Sequence, residues 1–208
     1  MKTISILFIH RSVGQNLLDD GKLAVEITSQ AQANNLLVDF TDINNNFAPG
    51  VPATDTKPAD YLAYFTQHGR AEDLVMIKSC YPNNAIKSGE ALEELKRTYQ
   101  QLVSAYVDNS AGKLLIMTTP PLRPCRTNKQ QAARARNLAS WLAAQDFGPR
   151  VIVFDFYDHL AQVGGKRNAH MLKASYRRLF PWDTHPSKQA SLNIAPQLAS
   201  VAIDFMKR

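Results

Sequence analysis

The chain has 208 residues, 45% hydrophobic and 20% charged, which suits one soluble globular domain with a substantial apolar core. No apolar run reaches membrane-spanning length, and no zinc-finger spacing or RNA-binding motif points to nucleic acid. The net charge of +6 is uneven: residues 1–122 carry 10 Lys/Arg against 13 Asp/Glu, whereas residues 123–178 carry 11 against 3. That local excess is read either as a solvated basic face, the simpler reading, or as an attraction for an anionic substrate or polymer.

At the N-terminus one Lys precedes a short β-branched stretch. No small-residue cleavage site follows it, so the segment reads as the first strand, Ile4–Ile9, of a cytoplasmic protein. A helical stretch is expected from about Gln15 to Ala33, then a second strand over Leu36–Phe40. Asn44–Pro58 reads as a long Asn/Pro-rich connection, an ordered loop over a site. The third strand is Leu74–Ile77. Leu92, Leu95, Tyr99, Leu102, Val103 and Tyr106 then recur at helical spacing. Leu114–Met117 is a fourth strand, stopped by Pro120-Pro121. Ala135, Leu138, Ala139 and Leu142 mark another helix, Val151–Phe154 a fifth strand, and Ser191–Phe205 a closing amphipathic helix.

Short continuous apolar strands alternating with amphipathic helices predict a parallel sheet covered on both faces. The expected fold is a single three-layer α/β/α domain over 1–208, with a flavodoxin-like five-stranded parallel sheet in the order 2-1-3-4-5. In such sheets ligands bind outside the carboxyl ends of the strands. Ser12, the Ser79–Asn84 turn and the Thr118–Arg126 loop all follow strand ends, so they should share one edge.

Chemistry-bearing residues gather at that edge. Asp183 and His185 stand two apart in Trp182-Asp183-Thr184-His185-Pro186. A His acting as general base needs its second ring nitrogen held by an acceptor, and Asp183 can supply one. Alternatively, Asp183 or Ser187 caps the final helix. Ser12, in His10-Arg11-Ser12-Val13-Gly14, combines a hydroxyl with a nearby helix N-terminus whose amides suit an oxyanion. It could equally cap that helix. His10 is a rival base, though a strand-end His is more often packed. Asn83 and Asn84 offer amide donors to a developing negative charge, or simply turn chemistry. Gly50 offers a backbone amide or marks a plain turn. Cys80 ranks below Ser12 as nucleophile. Cys80 and Cys125 lack metal-type spacing and suit reduced thiols. A phosphate or flavin site after the first strand lacks a convincing phosphate-loop sequence.

A Ser after strand 1, an Asn-bearing turn after strand 3 and a late Asp-x-His together resemble the SGNH (GDSL-like) hydrolase superfamily. The usual Gly-Asp-Ser is replaced by His10-Arg11-Ser12, and Gly-x-Asn-Asp by Ser79-Cys80-Tyr81-Pro82-Asn83-Asn84. The resemblance implies Ser12 as nucleophile, His185 as base and Asp183 as its orienter. It also implies an oxyanion hole of the Ser12 amide, Gly50 and Asn83, with Asn84 a close second to Asn83. The implied activity is hydrolysis of an O-acyl ester on a small molecule or glycan, with no metal or organic cofactor. A non-catalytic module of the same fold, binding an anionic glycan or partner, is the alternative.

Overall fold

The first apolar run builds a strand longer than its sequence pattern suggests. In the computed structural model, which describes residues 1–44, 57–165, 167–180 and 183–208, β1 spans Lys2–His10. It pairs in parallel with β2 (Leu36–Asn44) on one side and β3 (Leu74–Lys78) on the other. β4 (Lys113–Met117) and β5 (Val151–Phe154) extend the sheet beyond β3. The all-parallel order β2-β1-β3-β4-β5 agrees with expectation.

Burial on both faces explains why the inner strands read as unbroken apolar runs: all five residues of β3 are buried. On one face α1 (Val13–Asp19), α2 (Leu23–Ala33) and α7 (Lys188–Lys207) pack over Ile4, Ile6, Phe8, Met76 and Leu115. On the other, α3 (Pro58–Gln67), α4 (Gly89–Asn109) and α5 (Lys129–Ala143) cover Leu7, Ile9, Ile77 and Ile116. The short α6 (Phe156–Leu160) gives Phe156 and Leu160 to the first core and Tyr157 to the second. Each fully buried Leu, Ile or Phe contributes about 1.5–3 kcal/mol, so these two cores dominate the stability.

One local expectation needs correction, and two helices have none behind them. The helix expected over 15–33 is two helices, broken where Lys22 takes φ 56°. At the break, a methyl on Gly21 would lie 2.7 Å from the Leu17 carbonyl oxygen and 2.8 Å from that of Ser191 in α7. α3 begins at Pro58, the supposed end of the long connection, where Asp60 accepts from the Lys57 amide at 2.7 Å. α6 has no sequence-level expectation behind it. Most of the expected loop over the site, including Gly50, lies outside the described residues.

Because every strand is parallel, the residues after β1, β3 and β4 emerge at one edge. Ser12, the Tyr81–Asn84 turn and the Thr118–Arg126 loop therefore meet there, as the sheet topology predicts. Among the described residues, no helix is long and apolar enough to cross a membrane.

Candidate active site

Ser12 sits between β1 and α1 with φ 54° and ψ −96°. That conformation is uncommon for a residue with a β-carbon and costs on the order of 1–3 kcal/mol. Its side chain makes no capping bond to α1. The hydroxyl instead meets Nε2 of His185, 173 residues away in the chain. The capping alternative for Ser12 is thus not what the fold adopts.

The flanking motif has a packing reason. His10 is fully buried, packs against Phe8 with the rings tilted by 30° and their centroids 4.7 Å apart, and places Nε2 3.1 Å from Asp42 Oδ2. Burial lowers its pKa, outweighing the opposing pull of Asp42. A methyl on Gly14 would come within 2.3 Å of the His10 β-carbon. Glycine therefore lets α1 close directly over the histidine, with Ser12 at the apex of the turn. His10 is a packed support of that turn rather than a rival base.

Asp183 and His185 owe their geometry to their spacing. Asp183 Oδ1 accepts from the His185 backbone amide at 3.0 Å and approaches Nδ1 of the same ring at 2.8 Å. A carboxylate accepting from the amide two residues on is an Asx turn, which only Asp or Asn makes well. Burial alone would raise the Asp183 carboxyl pKa. The His185 amide and ring, with the nearby Arg178 charge, overcome this and hold it below the usual carboxylate range. An ionised carboxylate only accepts, so Nδ1 carries the proton, and Nε2 is left to accept from the Ser12 hydroxyl. The helix cap belongs to Ser187, whose Oγ accepts from the Ala190 amide at 3.4 Å.

Two arginines hold this segment, a role invisible in the charge count. Arg178 places Nη1 3.4 Å from Asp183 Oδ2, donates Nε to the Pro186 carbonyl at 3.0 Å, and reaches Asp20 at 3.6 Å. Arg123, from the loop after β4, donates Nη1 to the carbonyls of Phe180, at 2.9 Å, and Asp183. The sequence signal that could have found them is their position: one follows a strand end, the other precedes Asp183 by five residues.

The asparagines divide. Asn84 is buried, and its Nδ2 donates to the carbonyls of Thr119 and Pro120, both at 2.7 Å. Both amide hydrogens are used there, so Asn84 ties two loops together and is removed as an oxyanion donor. Asn83 is half-buried in the same turn, its backbone amide donating to the Cys80 carbonyl at 3.1 Å. Cys80 is buried and Cys125 exposed, with no disulfide between them. Lys78 ends β3 wholly buried, its ammonium donating to the Ser79 carbonyl at 3.0 Å, and burial pushes its pKa down to about 8.

No family model matches the sequence, and no curated protein matches it. Solved structures do resemble the fold. The lipase Lip_vut3 from a goat rumen metagenome superposes with a TM-score of 0.63 at 11% identity, covering 97% of this chain and 98% of that one. A GDSL-like lipase from Bacteroides thetaiotaomicron superposes with a TM-score of 0.55 at 12% identity, covering 96% and 87%. At such identities the likeness is one of fold, and the chain shares the fold of these two lipases.

Proposed function

We propose that the chain is a serine ester hydrolase acting on an O-acyl group of a small molecule or glycan. The observation that carries this reading is the continuous hydrogen-bond chain from the Ser12 hydroxyl through His185 to Asp183. Hydrolase names on two structures of the same fold support the reaction class.

In the proposed reaction, His185 Nε2 takes the hydroxyl proton as Ser12 Oγ attacks the ester carbonyl. Asp183 holds the tautomer that leaves Nε2 basic and stabilises the imidazolium that forms. The Ser12 amide, Asn83 and Gly50 are the proposed donors to the oxyanion. The tetrahedral intermediate collapses as His185 returns the proton to the departing alcohol. Water, deprotonated by the same nitrogen, then attacks the acyl-enzyme and releases the acid. A binding module of this fold would need no basic nitrogen on the serine hydroxyl, so the Ser12–His185 contact favours the hydrolase.

Hydrolysis of p-nitrophenyl acetate tests the assignment. Ser12→Ala and His185→Ala should each lower kcat/KM by about 10³-fold or more while leaving the protein folded. Turnover that survives both substitutions unchanged sinks the mechanism.

A further inference from the structure

Arg123 is 9% exposed, an unusual state for an arginine with no carboxylate partner among the described residues. Its described partners are main-chain oxygens: Nη1 donates to Phe180 at 2.9 Å and to Asp183, with the Arg178 carbonyl at 3.5 Å. Arg177 lies close enough for like-charge repulsion, since the Arg123 charge helps lower its pKa after the larger effect of burial. Converging carbonyl dipoles offset that cost, because hydrogen bonds to a charged group contribute about 1.5–3 kcal/mol each.

The gripped segment is a closed loop. A bridge between Arg177 and Pro186 and the Ser187 amide on the Tyr176 carbonyl, at 2.8 Å, close its base. Arg123 holds the carbonyls of Phe180 and of Asp183, the residue whose carboxylate meets His185. The backbone beside Arg123 is itself fixed. The Leu122 carbonyl accepts from the Leu172 amide at 2.9 Å, and Asn84 holds Thr119 and Pro120. A continuous set of contacts thus runs from the turn after β3, through the loop after β4 and Arg123, to Asp183, His185 and Ser12.

We propose that Arg123 is a positioning residue of the active site: by gathering the carbonyls around Asp183 it sets the Asp183–His185 pair against Ser12 and against the oxyanion turn braced by Asn84. This inference rests on the hydrolase reading above. A loop free to shift by about 1 Å would cost about 10²-fold in rate through misalignment alone.

The test pairs turnover of p-nitrophenyl acetate with the ¹H NMR signal of the His185 Nδ1 proton, identified by its loss in His185→Ala. Arg123→Met should lower kcat by about 30-fold or more, with KM within about 3-fold of wild type. The Nδ1 proton should shift or broaden while the melting curve stays cooperative. Arg123→Lys should recover most of the loss, because an ammonium brings three hydrogens to the same carbonyls. If Arg123→Met does not fold, Arg123→Gln takes both readings with the same expected direction. Unchanged kcat with an unmoved proton overturns the proposal, as does an Arg123→Lys enzyme no better than Arg123→Met. The proton needs no turnover to be seen. A wild type without Ser12-dependent esterase activity therefore overturns the hydrolase reading alone, and the NMR signal still decides the role of Arg123.

Discussion

Asp183 serves two acceptor roles within three residues, for the amide and for the ring of His185. Asp183→Asn should expose the difference between them. An amide side chain can keep the turn, but it can present NH₂ to Nδ1 and force the proton onto Nε2, where it blocks attack by Ser12. By analogy with the serine-protease triad, kcat should fall by about 10³–10⁴-fold. Stability should respond with a definite sign. A carboxyl held below its ordinary range contributes stability above about pH 4, and loses that contribution as pH falls through the lowered value. The side chain is 24% exposed, so solvent screening keeps the contribution under about 1 kcal/mol. Urea titrations should find Asp183→Asn less stable than wild type at pH 7, with the gap closing in strong acid. A gap that widens in acid contradicts this account.

At the scale of elements, Gly21 sets where α1 ends and α2 begins. Its approach to Leu17 and to Ser191 of α7 leaves no room for a methyl. Gly21→Ala should therefore cost about 1–3 kcal/mol and lower Tm by several degrees in calorimetry. A melting point equal to wild type would show that the helices can separate without penalty. The same spot explains what the sequence could and could not disclose about the elements. Periodicity carried the five strands and the long helices, because burial imposes it directly. It passed over the Gly21 break, since part of its cause, the Ser191 carbonyl of α7, is distant in sequence. It also passed over α3, where Tyr61, Tyr64 and Phe65 are spaced for a helix but follow an Asn/Pro-rich stretch that reads as loop. At the candidate site, the meeting of Ser12, Asp183 and His185 was legible because it follows from residue type and chain order. The engagement of Asn84 by the Thr119 and Pro120 carbonyls was not, because it depends on where a loop distant in sequence comes to lie.

Across the whole molecule, the basic excess of residues 123–178 proves to be largely internal fastening. Arg123, Arg177 and Arg178 donate to carbonyls of the segment 172–186, Arg134 to the Ile86 carbonyl at 3.2 Å, and Lys173 to that of His159 at 2.9 Å. Arg136 pairs with Asp155 at 2.5 Å. Charge counting could not disclose this fastening, since a guanidinium bonded to carbonyls and one in water score alike. The long chain separation of Ser12 and His185 has a consequence in time as well as in space. During vectorial synthesis Ser12 emerges 173 residues before its imidazole, so under the proposed mechanism the nascent chain has no esterase activity until the segment leading into α7 docks. The mature protein should inherit that dependence: in urea, esterase activity and far-UV helical signal should vanish in one coincident transition. Activity lost well before the helices melt would mean that the C-terminal segment detaches on its own, and that catalytic competence is governed by a local latch rather than by the folding of the chain.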